Sequence, residues 1–98
     1  SRPEILDEAG VFYLAPTNLP LHLRPRLKGD RFQPLGMKGK TKKVKEYMID
    51  EKIPVWLRDR IYLLTDDTGQ IMAIPGYCIA ENFKVLPHHS EVLKVTVG

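Results

Sequence analysis

Apolar residues recur along this chain in short runs, separated by proline, glycine and charged stretches. Val11-Phe12-Tyr13-Leu14 reads as a strand ended by the Pro16 to Pro20 region. Leu21-His22-Leu23-Arg24 alternates apolar and polar positions, as a half-buried strand does. Arg26 to Lys40 then predicts a long loop punctuated by Gly29, Pro34, Gly36 and Gly39, and a loop of that length in a small domain is usually functional. Val44, Tyr47 and Met48 fall at i, i+3 and i+4, which predicts a helix with a narrow apolar stripe and Thr41 as its N-cap. Asp50 to Ile53 breaks that pattern. Pro54 suits the first position of a second short helix running to Arg60, with Trp56 and Leu57 turned inward. On this reading Phe32, Tyr47 and Trp56 all belong to the core.

The last third predicts strands. Ile61 to Thr65 and Ile71 to Ile74 flank Asp66-Asp67-Thr68-Gly69-Gln70, a hairpin loop of suitable length and chemistry. Pro75-Gly76 turns the chain, and Phe83-Lys84-Val85 and Val92 to Val97 are further strand candidates. The order strand, loop, two helices, then several strands predicts an α+β domain with a mainly antiparallel sheet. Residues 1–9 are polar and read as a frayed or linking segment, so residues 1–18 are expected to be partly linker and 19–98 a single domain.

Length sharpens this picture. Ninety-eight residues support one modest core. No apolar run approaches a membrane span, and the single Cys78 excludes a disulfide framework, so a cytoplasmic setting is the expectation. The chain opens Ser1-Arg2-Pro3 without an initiator methionine, which suggests a piece of a longer protein.

Charge changes the picture more. Residues 19–60 hold twelve Lys/Arg against five Asp/Glu, whereas the rest of the chain is acidic. Lys38, Lys40, Lys42, Lys43 and Lys45 crowd the expected start of the first helix, the end where unpaired N–H groups already carry partial positive charge. A bound phosphate would compensate both. The competing reading is a solvated lysine-rich surface.

Catalytic constellations are weak. Gly39-Lys40-Thr41 before a helix resembles part of a P-loop, but Pro34 stands where the first glycine is required and no buried strand leads in. Adjacent His88 and His89 would point apart on a strand and so would not easily share a metal. Cys78 reads as a small buried apolar residue, and Asp66-Asp67 as turn residues. No acid, base and nucleophile come together. Recognition remains: Arg24, Arg26, Lys28 and Arg31 on or beside the loop, then Lys38 to Lys45, would grip a nucleic-acid backbone without reading its sequence.

Gly29-Asp30-Arg31-Phe32-Gln33-Pro34-Leu35-Gly36-Met37-Lys38-Gly39, Lys42-Lys43-Val44-Lys45, Ile49-Asp50-Glu51-Lys52-Ile53-Pro54 and Arg58-Asp59-Arg60, followed by Leu63-Leu64, Gly69-Gln70-Ile71 and Pro75-Gly76, together resemble the C-terminal domain of bacterial tRNA(Ile)-lysidine synthases. The likeness covers about residues 21–86. Tyr62 departs from it, since the family usually has proline before the Leu-Leu pair.

The resemblance implies a layered, β-sandwich-like α+β fold with two short helices, like a domain of the phenylalanyl-tRNA synthetase β-subunit. It implies a parent enzyme that uses ATP with magnesium, in an N-terminal domain carrying an SGGxDS signature absent here. That enzyme joins free lysine to the wobble cytidine of tRNA(Ile) with a CAU anticodon. It further implies that this non-catalytic domain contacts the acceptor stem of that tRNA. The implied nucleic-acid contacts are Arg31, Lys38, Lys42, Lys43 and Lys45, with Arg58 and Arg60 as second choices and Gly36 and Gly39 permitting close backbone approach; Arg24 and Lys40 join them as cations on or beside the loop. Two rivals stand beside it: a protein-docking module with a lysine-rich soluble surface, and a small nucleotide-dependent enzyme.

Overall fold

Short apolar runs broken by proline and glycine bury their side chains by pairing as strands around whatever helix the chain affords. The computed structural model describes residues 6–8, 11–17 and 20–96. Its strands are β1 (Leu6–Glu8), β2 (Val11–Leu14), β3 (His22–Pro25), β4 (Arg31–Phe32), β5 (Lys42–Lys43), β6 (Tyr62–Thr65), β7 (Ile71–Ile74), β8 (Cys78–Ile79) and β9 (Leu93–Thr96). Helices α1 (Val44–Asp50) and α2 (Val55–Arg58) lie between β5 and β6, and a 3₁₀ turn spans Glu81–Phe83. The strands form three antiparallel sheets, ordered β1-β2-β9, β3-β6-β7-β8 and β4-β5.

One core joins these layers. Phe12 and Leu14 from the first sheet, Leu63, Met72 and Ile74 from the second, and Val44 and Met48 from α1 are essentially sealed from solvent. The stripe Val44, Tyr47, Met48 is the buried face of α1, as its spacing predicts. Tyr47 meets Phe32 edge to face, ring centres 5.5 Å apart, so β4 is pinned to the helix by an aromatic pair. The β6–β7 hairpin forms where predicted. Its Asp66 closes the turn by accepting from the N–H groups of Thr68 and Gln70, both at 2.9 Å, and from the Thr68 hydroxyl at 2.7 Å.

Several expectations need correction. The predicted loop 26–40 carries β4, and Pro34 bridges Ala80, so its middle is stitched to the sheets. Thr41 does not cap α1: the helix begins at Val44, and Lys42 and Lys43 are extended and paired with β4. Trp56 is 68% exposed, whereas its neighbour Leu57 turns inward as expected and packs, partly buried, against the core. Pro54 precedes that helix as its N-cap. Phe83 ends a 3₁₀ turn rather than opening a strand, and residues 6–8 of the expected frayed segment pair with β2. Residues 1–5 and the Val97 end of the last predicted strand lie outside the described residues.

Candidate nucleic-acid interface

The basic segment is shaped by one carboxylate. Asp30 takes both arms of the Arg24 guanidinium, at 2.9 and 3.0 Å, and the N–H of Leu27 at 2.6 Å. Its own carbonyl accepts the N–H of Val44 at 2.9 Å, satisfying a donor at the start of α1. Partial burial alone would push the Asp30 carboxyl up, but the Arg24 guanidinium and the Leu27 N–H outweigh it and hold Asp30 below the usual carboxylate range. Asp30 thereby ties β3, the turn at Gly29 and the first turn of α1 together.

This clamp sets one wall of an open cavity of about 480 Å³, lined by Arg26, Lys28, Lys43 and Lys45 together with Asp30 and Asp59. Four cations face two carboxylates there, and Asp30 is already spent on Arg24. Asp59 lies 3.2 Å from Arg26 but is 82% exposed, so this pair is weak and replaceable. The Nε of Arg26 is buried without a partner. Across the β4–β5 ribbon Arg31 stands directly opposite Lys43, and both are exposed. Like charges directly opposite repel. Among the described residues no ion pair relieves Lys28, Arg31, Lys43 or Lys45.

The other sequence-derived positions separate from this groove. Arg24 is occupied by Asp30, and Lys42 by Asp50 in an ion pair on the outside of α1. Arg58 donates from Nε to the carbonyl of Ile53 at 3.0 Å, which closes the link between the two helices. Lys38 and Lys40 sit exposed in successive turns, Lys38 itself at positive φ. Gly36 and Gly39 are glycine because φ is +91° and +82°, a backbone region that side chains disfavour. Arg60 borders a different, apolar cavity with Leu23, Tyr62 and Val95. Arg26 and Lys28 join the groove although the family likeness does not single them out. Their signal was adjacency to the Gly29 turn.

The residues considered for nucleotide and metal chemistry take other positions in the fold. The N–H of Lys40 is spent on the Met37 carbonyl, and α1 starts three residues beyond Thr41, so Gly39-Lys40-Thr41 makes no phosphate nest. His88 and His89 lie in a turn with ring centres 4.4 Å apart, and His89 Nδ1 accepts the Leu86 N–H. Among the described residues no three His, Cys, Asp or Glu side chains gather for a metal. Cys78 is half-buried against the core in β8. No described helix is long and apolar enough to cross a membrane.

The family model described as the TilS substrate C-terminal domain matches residues 21–95, the stretch that builds the Asp30 clamp and the groove. The chain belongs to that family. A tRNA(Ile)-lysidine synthase of Caldanaerobacter subterraneus subsp. tengcongensis is 48% identical over 73 residues, covering 74% of this chain and 15% of that protein. The Clostridium tetani synthase is 46% identical over 74 residues, covering 76% of this chain and 15% of that protein. A solved TilS C-terminal domain superposes with a TM-score of 0.70 at 30% identity, covering 91% of this chain and 72% of that one. The TilS C-terminal fold, α+β with antiparallel sheets and two helices, is thus the fold of this chain, which spans about 15% of the length of those synthases.

Proposed function

We propose that this domain binds tRNA through its phosphate backbone, holding a tRNA(Ile) with a CAU anticodon for a synthase that converts the wobble cytidine to lysidine. The observation that carries the reading is the groove of Arg26, Lys28, Lys43 and Lys45, with Arg31 standing opposite Lys43 on the β4–β5 ribbon. Cations set side by side without carboxylate partners are stabilised by a polyanion. Arginine offers paired donors to two phosphate oxygens, and lysine supplies a mobile point charge. An RNA duplex such as an acceptor stem is recognised mainly by shape, phosphates and 2′-hydroxyls, which suits a surface with no base-reading constellation. ATP with magnesium and the bond-forming step belong, on this reading, to another domain of a cytoplasmic enzyme.

The test is a titration of tRNA against the 98-residue chain at several salt concentrations. Binding should weaken steeply, with a log–log slope of roughly −0.9 for each duplex phosphate neutralised. Salt-insensitive binding, or none at low salt, sinks the proposal. A docking module is the second reading, favoured by the apolar cavity where Leu23 and Tyr62 are 62% and 51% exposed. A salt-insensitive complex with another protein, lost on L23E, would favour it.

A further inference from the structure

The chain has one tryptophan, and it lies on the surface. Phe32 and Tyr47 are explained by each other and by the core they share. Trp56 is not: it stands 68% exposed beside Val55, itself 72% exposed, on a helix whose contact with the core is through Leu57. Tryptophan has much to gain from burial, and exposed indoles are enriched where proteins bind partners.

The position of α2 indicates which partner. Helix α2 is a single α-helical turn, entered and left by i→i−3 bonds from the Leu57 and Arg60 N–H groups to the Pro54 and Leu57 carbonyls. Side chains three apart on such a turn are neighbours on its surface. The residue three beyond Trp56 is Asp59, which lines the basic groove and pairs with Arg26 inside it. The exposed indole is thus the helical neighbour of a residue that lines the basic groove. A flat π-face beside a row of cations is the pattern that binds unpaired nucleotides, with phosphates on the cations and a base on the ring.

We propose that Trp56 is the stacking platform for an unpaired base of an RNA whose backbone lies in the groove. This rests on the groove binding RNA and adds a preference that the groove alone lacks. Phosphate contacts do not require an unpaired base, whereas stacking does, since a base inside a duplex has no face to offer the indole. The domain would therefore favour a junction, where a duplex runs into single-stranded nucleotides.

Trp56 is its own reporter. The 98-residue chain would be titrated with a blunt RNA duplex and with the same duplex carrying a short single-stranded extension, following intrinsic fluorescence and, separately, retention of labelled RNA. Both RNAs should be retained, the extended one about tenfold more tightly, and only the extended one should quench Trp56. Trp56→Ala should abolish the tenfold preference and leave blunt-duplex affinity unchanged, and Trp56→Phe should keep most of the preference. Blunt binding with no selective quench, or an equal loss for both RNAs in Trp56→Ala, overturns the stacking role and leaves the groove reading standing. Retention of neither RNA overturns both.

Discussion

Lys42 and Lys43 are neighbours in sequence and opposites in situation. Lys42 lies opposite Phe32, on the side of the β4–β5 ribbon that faces the core, and its ammonium reaches Asp50 at the far end of α1. Lys43 lies opposite Arg31 on the outer side and points into the groove with no carboxylate partner among the described residues. The same division runs through the basic segment: Arg24 and Arg58 are bound to the domain's own oxygens, whereas Lys28, Lys43 and Lys45 are left to solvent or ligand. Charge counting does not distinguish the groups. Strand alternation does, because it sends successive side chains to opposite faces.

Substitution can break this division or sharpen it. The largest effect is expected from Lys43→Glu with Lys45→Glu. RNA affinity at low salt should fall about a hundredfold, with a shallower salt slope and a melting temperature nearly unchanged. A cooperative loss of folding would instead show that these lysines are structural. Asp30→Ala should do the reverse, since it orphans Arg24 and the Leu27 N–H together. A cost of about 2 kcal/mol, a fall of roughly 10 °C in a calorimetric scan, is expected, and RNA binding should weaken only as the groove wall loosens.

Acid should act through the same carboxylates. Burial would push Asp66 up, but the Thr68 hydroxyl and the turn N–H groups outweigh it and hold it below the usual range. A carboxyl lowered in the folded state contributes stability at neutral pH that is lost as pH falls through its folded value. Melting temperature should therefore drop progressively from roughly pH 5 downward, and Asp66→Asn should start lower but lose less over that interval. The smallest effect is expected for Lys42→Ala: about 0.5 kcal/mol in stability and less than a twofold change in RNA affinity, measured beside Lys43→Ala, whose only loss should be affinity.

The parts legible from sequence were those with local rules. The Val44, Tyr47, Met48 stripe, the β6–β7 hairpin and the role of Asp66 in its turn all follow from spacing and turn chemistry. What was not legible depends on partners far along the chain. Lys42 and Lys43 are extended because β4 pairs with them and the Asp30 carbonyl takes the Val44 N–H, contacts spanning about a dozen residues. Trp56 looked like core because a single turn of helix is too short for its periodicity to say which side faces in. The candidate site was half legible. The basic stretch was plain, but its division into bound and unbound cations needed the strand register and the position of Asp30.

The pairing of β2 with β9 has a mechanical consequence. Val11 stands opposite Thr96 and Leu14 opposite Leu93, so the central strand of this sheet is zipped antiparallel to β9. Tension applied between those two outer positions would peel the ladder one bond at a time, starting at Val11 and Thr96, instead of loading all its bonds at once. A short covalent splice from Thr96 to Val11, which leaves out β1, would remove that weak seam. The backbone could then be cut at the Asp67-Thr68-Gly69 turn, giving a rearranged chain with its cationic channel intact.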